Sequence, residues 1–207
     1  MSEGKQMGGS AAGMGAFKPK FIVGIGGSAG ALSAYKALLD ALPFNTDMAF
    51  IIISHMNPAA HSQLALILSR HTKMPVIVAS ADMPIKRNHV YVIAPDTDLL
   101  IDLLIENYVF KVVSPRSGRN KQIDLLFISL AESMKTHAIG IVLSGYEGDG
   151  TEGCKHIKAM GGTTFAQDAS AEVGHMPLSA QAAGCIDFVL PPSKIPDELQ
   201  RLVLLQK

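Results

Sequence analysis

A serine stands among glycines at Gly26-Gly27-Ser28-Ala29-Gly30, a G-x-S-x-G run that follows an apolar segment and precedes a helical one. In a strand–turn–helix setting this is the pattern of a nucleophile elbow. The reason is steric. A sharp turn projects the hydroxyl away from the sheet, glycines let the backbone pass closely, and N–H groups at the helix start can stabilise a developing oxyanion. The same residues can also make a plain tight turn or a phosphate loop. His55 directly follows the apolar run MAFIIIS. An imidazole at the end of a buried strand can take a serine's proton as general base, although a lone histidine is more often structural. A third apolar run, IGIVLS, leads into Gly145-Tyr146-Glu147-Gly148-Asp149-Gly150. A carboxylate there can cap the next helix, or orient a histidine and stabilise its cation. Glu147 and Asp149 compete for the second role, and residue type does not separate them. With Asp149, the triad would run Ser28, His55, Asp149, an order unlike the Ser…Asp…His of α/β-hydrolases; triads are defined by geometry, so order is no objection.

Two other chemistries fit less well. Gly24-x-Gly26 with Ala29 three residues on resembles a dinucleotide fingerprint, but that fingerprint needs an acidic residue at the end of the second strand. The second run ends in Ser54-His55. For metal binding there are seven histidines, at positions 55, 61, 71, 89, 137, 156 and 175, yet no H-E-x-x-H and no C-x-x-C. No metal or cofactor is expected.

These residues need a scaffold that brings strand ends together, and the rest of the chain reads as one. Short apolar runs at 21–25, 48–54, 75–79, 90–94, 138–144, 163–166 and 186–190 read as strands. Helical spacing appears at 31–42, 62–71, 122–135, 152–160, 178–183 and 196–205. Residues 99–105 and 108–113 flank Glu106-Asn107 as a hairpin. Apolar strands alternating with amphipathic helices predict a single α/β domain, doubly wound, with a mainly parallel sheet covered on both faces. Chemistry in such sheets lies beyond the carboxyl ends of the strands. Residues 1–20 are Gly-, Ser- and Ala-rich without apolar period and read as a flexible leader, leaving 21–207 as the folded domain. The 207 residues are 48% hydrophobic, enough for a core. Eighteen basic and eighteen acidic residues cancel, which argues against a nucleic-acid partner bound by bulk charge. No apolar run reaches the ~18 residues of a membrane span. Two cysteines, Cys154 and Cys185, build no disulfide framework, so a reducing, cytoplasmic setting is expected.

Four stretches in order carry a resemblance: GIGGSAGAL around Ser28, SHMNP at His55, VLSGYEGDGTEG around Asp149, and GGTTFAQD…GHMP over 161–177, with VYVIAP at 90–95 between them. From 21 to about 190 the chain resembles the catalytic domain of CheB-type chemotaxis protein-glutamate methylesterases. The resemblance implies hydrolysis of glutamate γ-methyl esters on chemoreceptors, with glutamine deamidation as a further activity. It implies Ser28 as nucleophile, His55 as base and Asp149, rather than Glu147, as the orienting carboxylate. It places the oxyanion-binding N–H groups at Ala29 and Tyr146, and Met176 beside the site. The sequence departs from the family in three places. The elbow is Ser-Ala-Gly-Ala instead of Ser-Thr-Gly-Gly, Tyr146 stands where methionine is common, and Arg119-Asn-Lys-Gln replaces an Arg-Pro-Ser segment. The elbow, SRHTKMPV and DFVLPP are closer to methylesterase-like domains joined to CheR-type methyltransferases and sensor kinases. A receiver domain, which shuts the site in the best-known members, is not expected in this chain. The expected function is thus a serine esterase acting on a methylated chemoreceptor or related signalling protein. The alternative is a non-catalytic CheB-like domain that binds a signalling partner through the cleft.

Overall fold

The computed structural model describes residues 18–55, 58–104, 107–116 and 121–205; the leader reading for 1–17 lies outside them. Seven strands form one parallel sheet: β1 (Phe21–Gly27), β2 (Met48–Ser54), β3 (Val76–Val78), β4 (His89–Val92), β7 (Ala138–Val142), β8 (Thr163–Gln167) and β9 (Phe188–Leu190). Their spatial order is β3-β4-β2-β1-β7-β8-β9. Strands β5 (Asp98–Leu104) and β6 (Asn107–Val113) pair antiparallel as the expected hairpin, outside the main sheet.

The central strands are apolar on both faces, and their period of two sorts side chains between two cores. Ile22, Ile51, Ile53 and Tyr91 face one side. There they meet α3 (Gln122–Met134), α4 (Thr151–Ala159), α5 (His175–Ala182) and the hairpin. Phe21, Val23, Ile25, Phe50 and Ile52 face the other, covered by α1 (Ala31–Ala41) and α6 (Ile195–Leu205), with α2 (Pro58–Leu68) alongside. This is the doubly wound architecture expected.

Helices α2 and α5 start earlier than apolar periodicity suggests, at Pro58 and His175 instead of 62 and 178. A proline in the first turn gives up only an N–H that has no helical partner there, so Pro58 and Pro177 extend these helices rather than delimit them. No helix among the described residues is long and apolar enough to cross a membrane.

The winding reverses at β1. The chain leaves β1 through α1 to β2 on one side, and later returns through α3 to β7 on the other. A crevice forms at such a reversal beyond the carboxyl ends of the strands, and the three candidate loops all open there.

Candidate active site

Ser28 is the first residue past β1 and His55 the first past β2. Register fixes their proximity: Gly27 lies opposite Ser54, and the His55 N–H donates to Gly27 O at 3.2 Å. On the other flank the Ser28 N–H donates to Ser144 O at 2.9 Å, which ties the serine turn to the end of β7. Gly30 completes that turn with φ 73, in the left-handed region. A Cβ there would sit 2.7 Å from both Glu172 Cβ and Ser144 Oγ, so the second glycine of G-x-S-x-G is required by space as well as by backbone angle. Helix α1 begins at the next residue and directs its amino end at the turn.

Asp149 and His55 come together. His55 Nε2 lies 2.8 Å from Asp149 Oδ2, close enough for an ion pair, though off the alignment of a hydrogen bond. The Asp149 side chain has no exposed surface and the His55 side chain is 10% exposed. A buried carboxylate needs donors, and Asp149 has backbone ones. Oδ2 accepts from the Ile123 N–H at 3.0 Å, and Oδ1 from the Asp124 and Gly150 N–H groups, both at 2.9 Å. Ile123 and Asp124 belong to the first turn of α3, which has no side-chain cap of its own. Asp149 therefore caps a helix, but not the one it precedes, and uses the outer edge of the same carboxylate to meet His55. Capping of the next helix, one of the two jobs that residue type left open for this loop, is not done by Asp149, whose carboxylate lies beside His55. Glu147 is exposed, with φ 66.

Ser28 and His55 make no hydrogen bond to each other among the described residues. With Nε2 turned to Asp149, Nδ1 is the ring nitrogen left for the serine. Among the described residues, the N–H groups of Ala29 and Tyr146 make no hydrogen bond. Met176 is fully buried. Its N–H donates to Gly145 O at 2.9 Å, and its thioether packs where a Cβ on Gly145 would also meet Ser28 Cβ. Met176 thus packs at Gly145, close to the serine. Tyr146 is 59% exposed, its ring edge-on to His175 at 6.0 Å.

Three contributors escape a reading by residue type. Ser144, with no exposed surface, donates its hydroxyl to Ala29 O at 2.8 Å and accepts the Val173 N–H at 2.9 Å. It thereby fixes the Ala29–Gly30 peptide, one residue past the serine. Gln167 holds Ser144 in turn, accepting its N–H at 3.0 Å. The third is Asp124, whose Oδ1 accepts the Gly150 and Gly153 N–H groups at 2.9 and 2.8 Å. Burial raises the Asp124 carboxyl above its usual range, and neighbouring Asp149 adds to the effect. Asp124 offers one signal in the sequence, an acid in the first turn of a strongly patterned helix, but that signal points to its own helix, not to α4.

Residues 23–199 match the family model described as CheB methylesterase. A Hydrogenovibrio crunogenus protein-glutamate methylesterase/protein-glutamine glutaminase is 30% identical over 185 residues, 88% of this chain and 49% of that protein. The chain spans about half the length of that relative. A Leptospira interrogans relative is 32% identical over 179 residues, 86% of this chain and 92% of its own length. The catalytic domain of Thermotoga maritima CheB methylesterase superposes with a TM-score of 0.82 at 29% identity, covering 88% of this chain and 98% of that one. With residues 23–199 matched by the family model, this chain belongs to the CheB methylesterase family.

Proposed function

We propose that this chain is a serine esterase that hydrolyses glutamate γ-methyl esters on chemoreceptors, or on a related signalling protein, with Ser28, His55 and Asp149 as its triad. The buried contact of His55 with Asp149, at 2.8 Å, carries this reading. A carboxylate walled off from water beside one imidazole nitrogen fixes the orientation of the ring, which is what a base beside a serine needs. His55 Nδ1 takes the Ser28 proton as Oγ attacks the ester carbonyl. Such contacts are commonly long in a free enzyme and tighten in the substrate complex. The charge developing on the carbonyl oxygen is met by the Ala29 and Tyr146 N–H groups and the amino end of α1. Collapse of the intermediate expels methanol with the proton from His55 and leaves a glutamyl ester on Ser28. Water then repeats the attack and restores Oγ–H. The same sequence on a glutamine side chain expels ammonia. The unpaired, buried Cys154 and Cys185 suit a reducing compartment such as the cytoplasm.

The test is methanol release from a methylated receptor, wild type against Ser28→Ala. Release by the wild type, and a loss of about three orders of magnitude or more in the variant, is expected. Equal release by both would remove Ser28 from the chemistry. A folded wild type that binds the receptor and releases nothing would favour a docking domain.

A further inference from the structure

Asp124 and Asp149 stand in a reciprocal arrangement. Asp149 lies just before α4 and caps α3 through the Ile123 and Asp124 N–H groups. Asp124 lies in the first turn of α3 and caps α4 through the Gly150 and Gly153 N–H groups. Neither helix has a side-chain cap from its own N-cap residue, Lys121 or Gly150. The amide of Gly150 is shared: it reaches Asp149 Oδ1 at 2.9 Å and Asp124 Oδ1 at 2.9 Å. Gly150 is also in the left-handed region, with φ 93, and a Cβ there would meet Ile123 Cγ2 at 2.9 Å. The backbone from which Asp149 hangs is thus held by Asp124, while the carboxylate of Asp149 is held by the helix that carries Asp124.

The consequence reaches His55. Asp149 Oδ2 meets both the Ile123 N–H and His55 Nε2. Any shift of the 148–150 turn relative to α3 therefore moves the oxygen that aims the imidazole. Ordinary helix capping would draw on each helix's own N-cap residue, a serine or asparagine, without tying one helix end to the other. Two crossed aspartates instead make the position of one helix end depend on the other, with the putting-in-place of a buried carboxylate as the result. From this geometry we infer that Asp124 is a positioning residue for the esterase: by clamping Gly150 and Gly153 it sets the place of Asp149 and so the orientation of His55. The inference rests on the triad reading given above, and its role is distinct from capping for stability alone.

The experiment uses the full chain with ¹⁵N-labelled histidine, the His55 signals assigned with His55→Gln. Ring-nitrogen shifts, melting temperature and methanol release are measured for wild type, Asp149→Ala, Asp124→Ala and Asp124→Asn. Asparagine keeps an oxygen that can accept both N–H groups. In Asp124→Ala the His55 signals are expected to move toward those of Asp149→Ala. Its kcat should fall about tenfold or more, with KM within about twofold, below its melting temperature. Asp124→Asn should keep the wild-type His55 signals and kcat within about threefold. A folded Asp124→Ala with the wild-type His55 spectrum would overturn the inference, reducing Asp124 to a stabilising cap. Asp124→Asn losing the His55 signature as fully as alanine would also overturn it, by assigning the effect to charge. Should alanine fail to fold, Asp124→Ser is read in the same way, its hydroxyl too short to span both amides. A wild type that releases no methanol defeats the esterase reading, while the histidine spectra still decide the role of Asp124.

Discussion

At the residue scale, the site is a set of atoms held from behind. Ser28 is pinned through its own N–H to Ser144 O, and Ser144 in turn fixes Ala29 O. His55 is aimed by Asp149, and Asp149 by three amides. Residues acting as one unit show non-additive losses. Ser28→Ala and His55→Ala are each expected to remove about three orders of magnitude or more of turnover, and the double variant little beyond either. Asp149→Asn should lose less than Ser28→Ala, because it supports the proton transfer without performing it. Single-turnover rates of the four variants on one methylated substrate check this; multiplicative losses in the double variant would mean that Ser28 and His55 work separately. Of these residues, Ser28 and His55 were legible because each ends a continuous apolar run, so the strand itself specifies where the side chain emerges. The choice between Glu147 and Asp149 was not legible from residue type. Both stand in one glycine-rich loop, and only the distant amino end of α3 selects the one that is buried. Ser144, Gln167 and Asp124 were silent for a similar reason: each works on backbone more than twenty residues away, and no local pattern records that.

At the element scale, helix amino ends and strand carboxyl ends converge on one edge. Helices α1, α3 and α4 all begin there, and the first N–H groups of α3 and α4 are taken by the carboxylates of Asp149 and Asp124. The opposite arrangement stabilises the far flank, where Asp187 joins three elements. Its carboxylate accepts the Thr164 N–H of β8 at 3.0 Å and the Lys158 ammonium of α4 at 2.6 Å, just ahead of β9. Burial alone would raise the Asp187 carboxyl, but the lysine and the threonine outweigh it and hold it below the usual range. A carboxyl depressed on folding adds stability above its unfolded pKa, and that stability is lost as pH falls through the folded value. Asp187→Ala is therefore expected to cost about 1–2 kcal/mol at neutral pH. The gap between wild type and variant should narrow below about pH 4. Thermal melts of both proteins between neutral and acid pH measure it; a gap that stays constant would assign the loss to packing. Helix boundaries show the same layering of causes. Periodicity locates α2 and α5, but their first turns, at Pro58 and His175, lie ahead of the periodic residues.

At the scale of the whole molecule, the site depends on how closely α3 lies on the sheet. Gly24 of β1 and Gly140 of β7 are register partners at the winding reversal, and both make room for one side chain. A Cβ on Gly24 would stand 2.7 Å from Phe127 Cε1, and one on Gly140 would stand 3.1 Å from Phe127 Cε2 and 2.7 Å from Ile157 Cδ1. Gly153 of α4 completes the seat, its Cβ position falling 2.4 Å from Phe127 Cβ. Phe127 is fully buried, so its ring fills a furrow made by three glycines from three elements. One turn earlier, Ile123 fills the space over Gly26 in the same way, 2.4 Å from where a Cβ would be. These contacts lower α3 onto β1 and β7 and deliver its first amides to Asp149. A strand glycine ordinarily weakens a strand; here it admits a helix. Gly140→Ala should lift α3, costing about 1–3 kcal/mol as an overpacked core does, and lowering kcat because the Asp149 cap moves with the helix. Phe127→Ala should cost about 3–5 kcal/mol by leaving a cavity, equivalent to a melting temperature roughly 10 °C lower for a chain of this size. The two sites are in contact, so their effects must couple. Phe127→Leu removes ring atoms from the furrow, and in its background Gly140→Ala should cost less than in the wild type, with part of kcat restored. Melting temperatures and turnover of the four proteins in that cycle give the coupling directly. Additive losses would show that the furrow accommodates the methyl group without moving α3, and that the site is set by its loops alone.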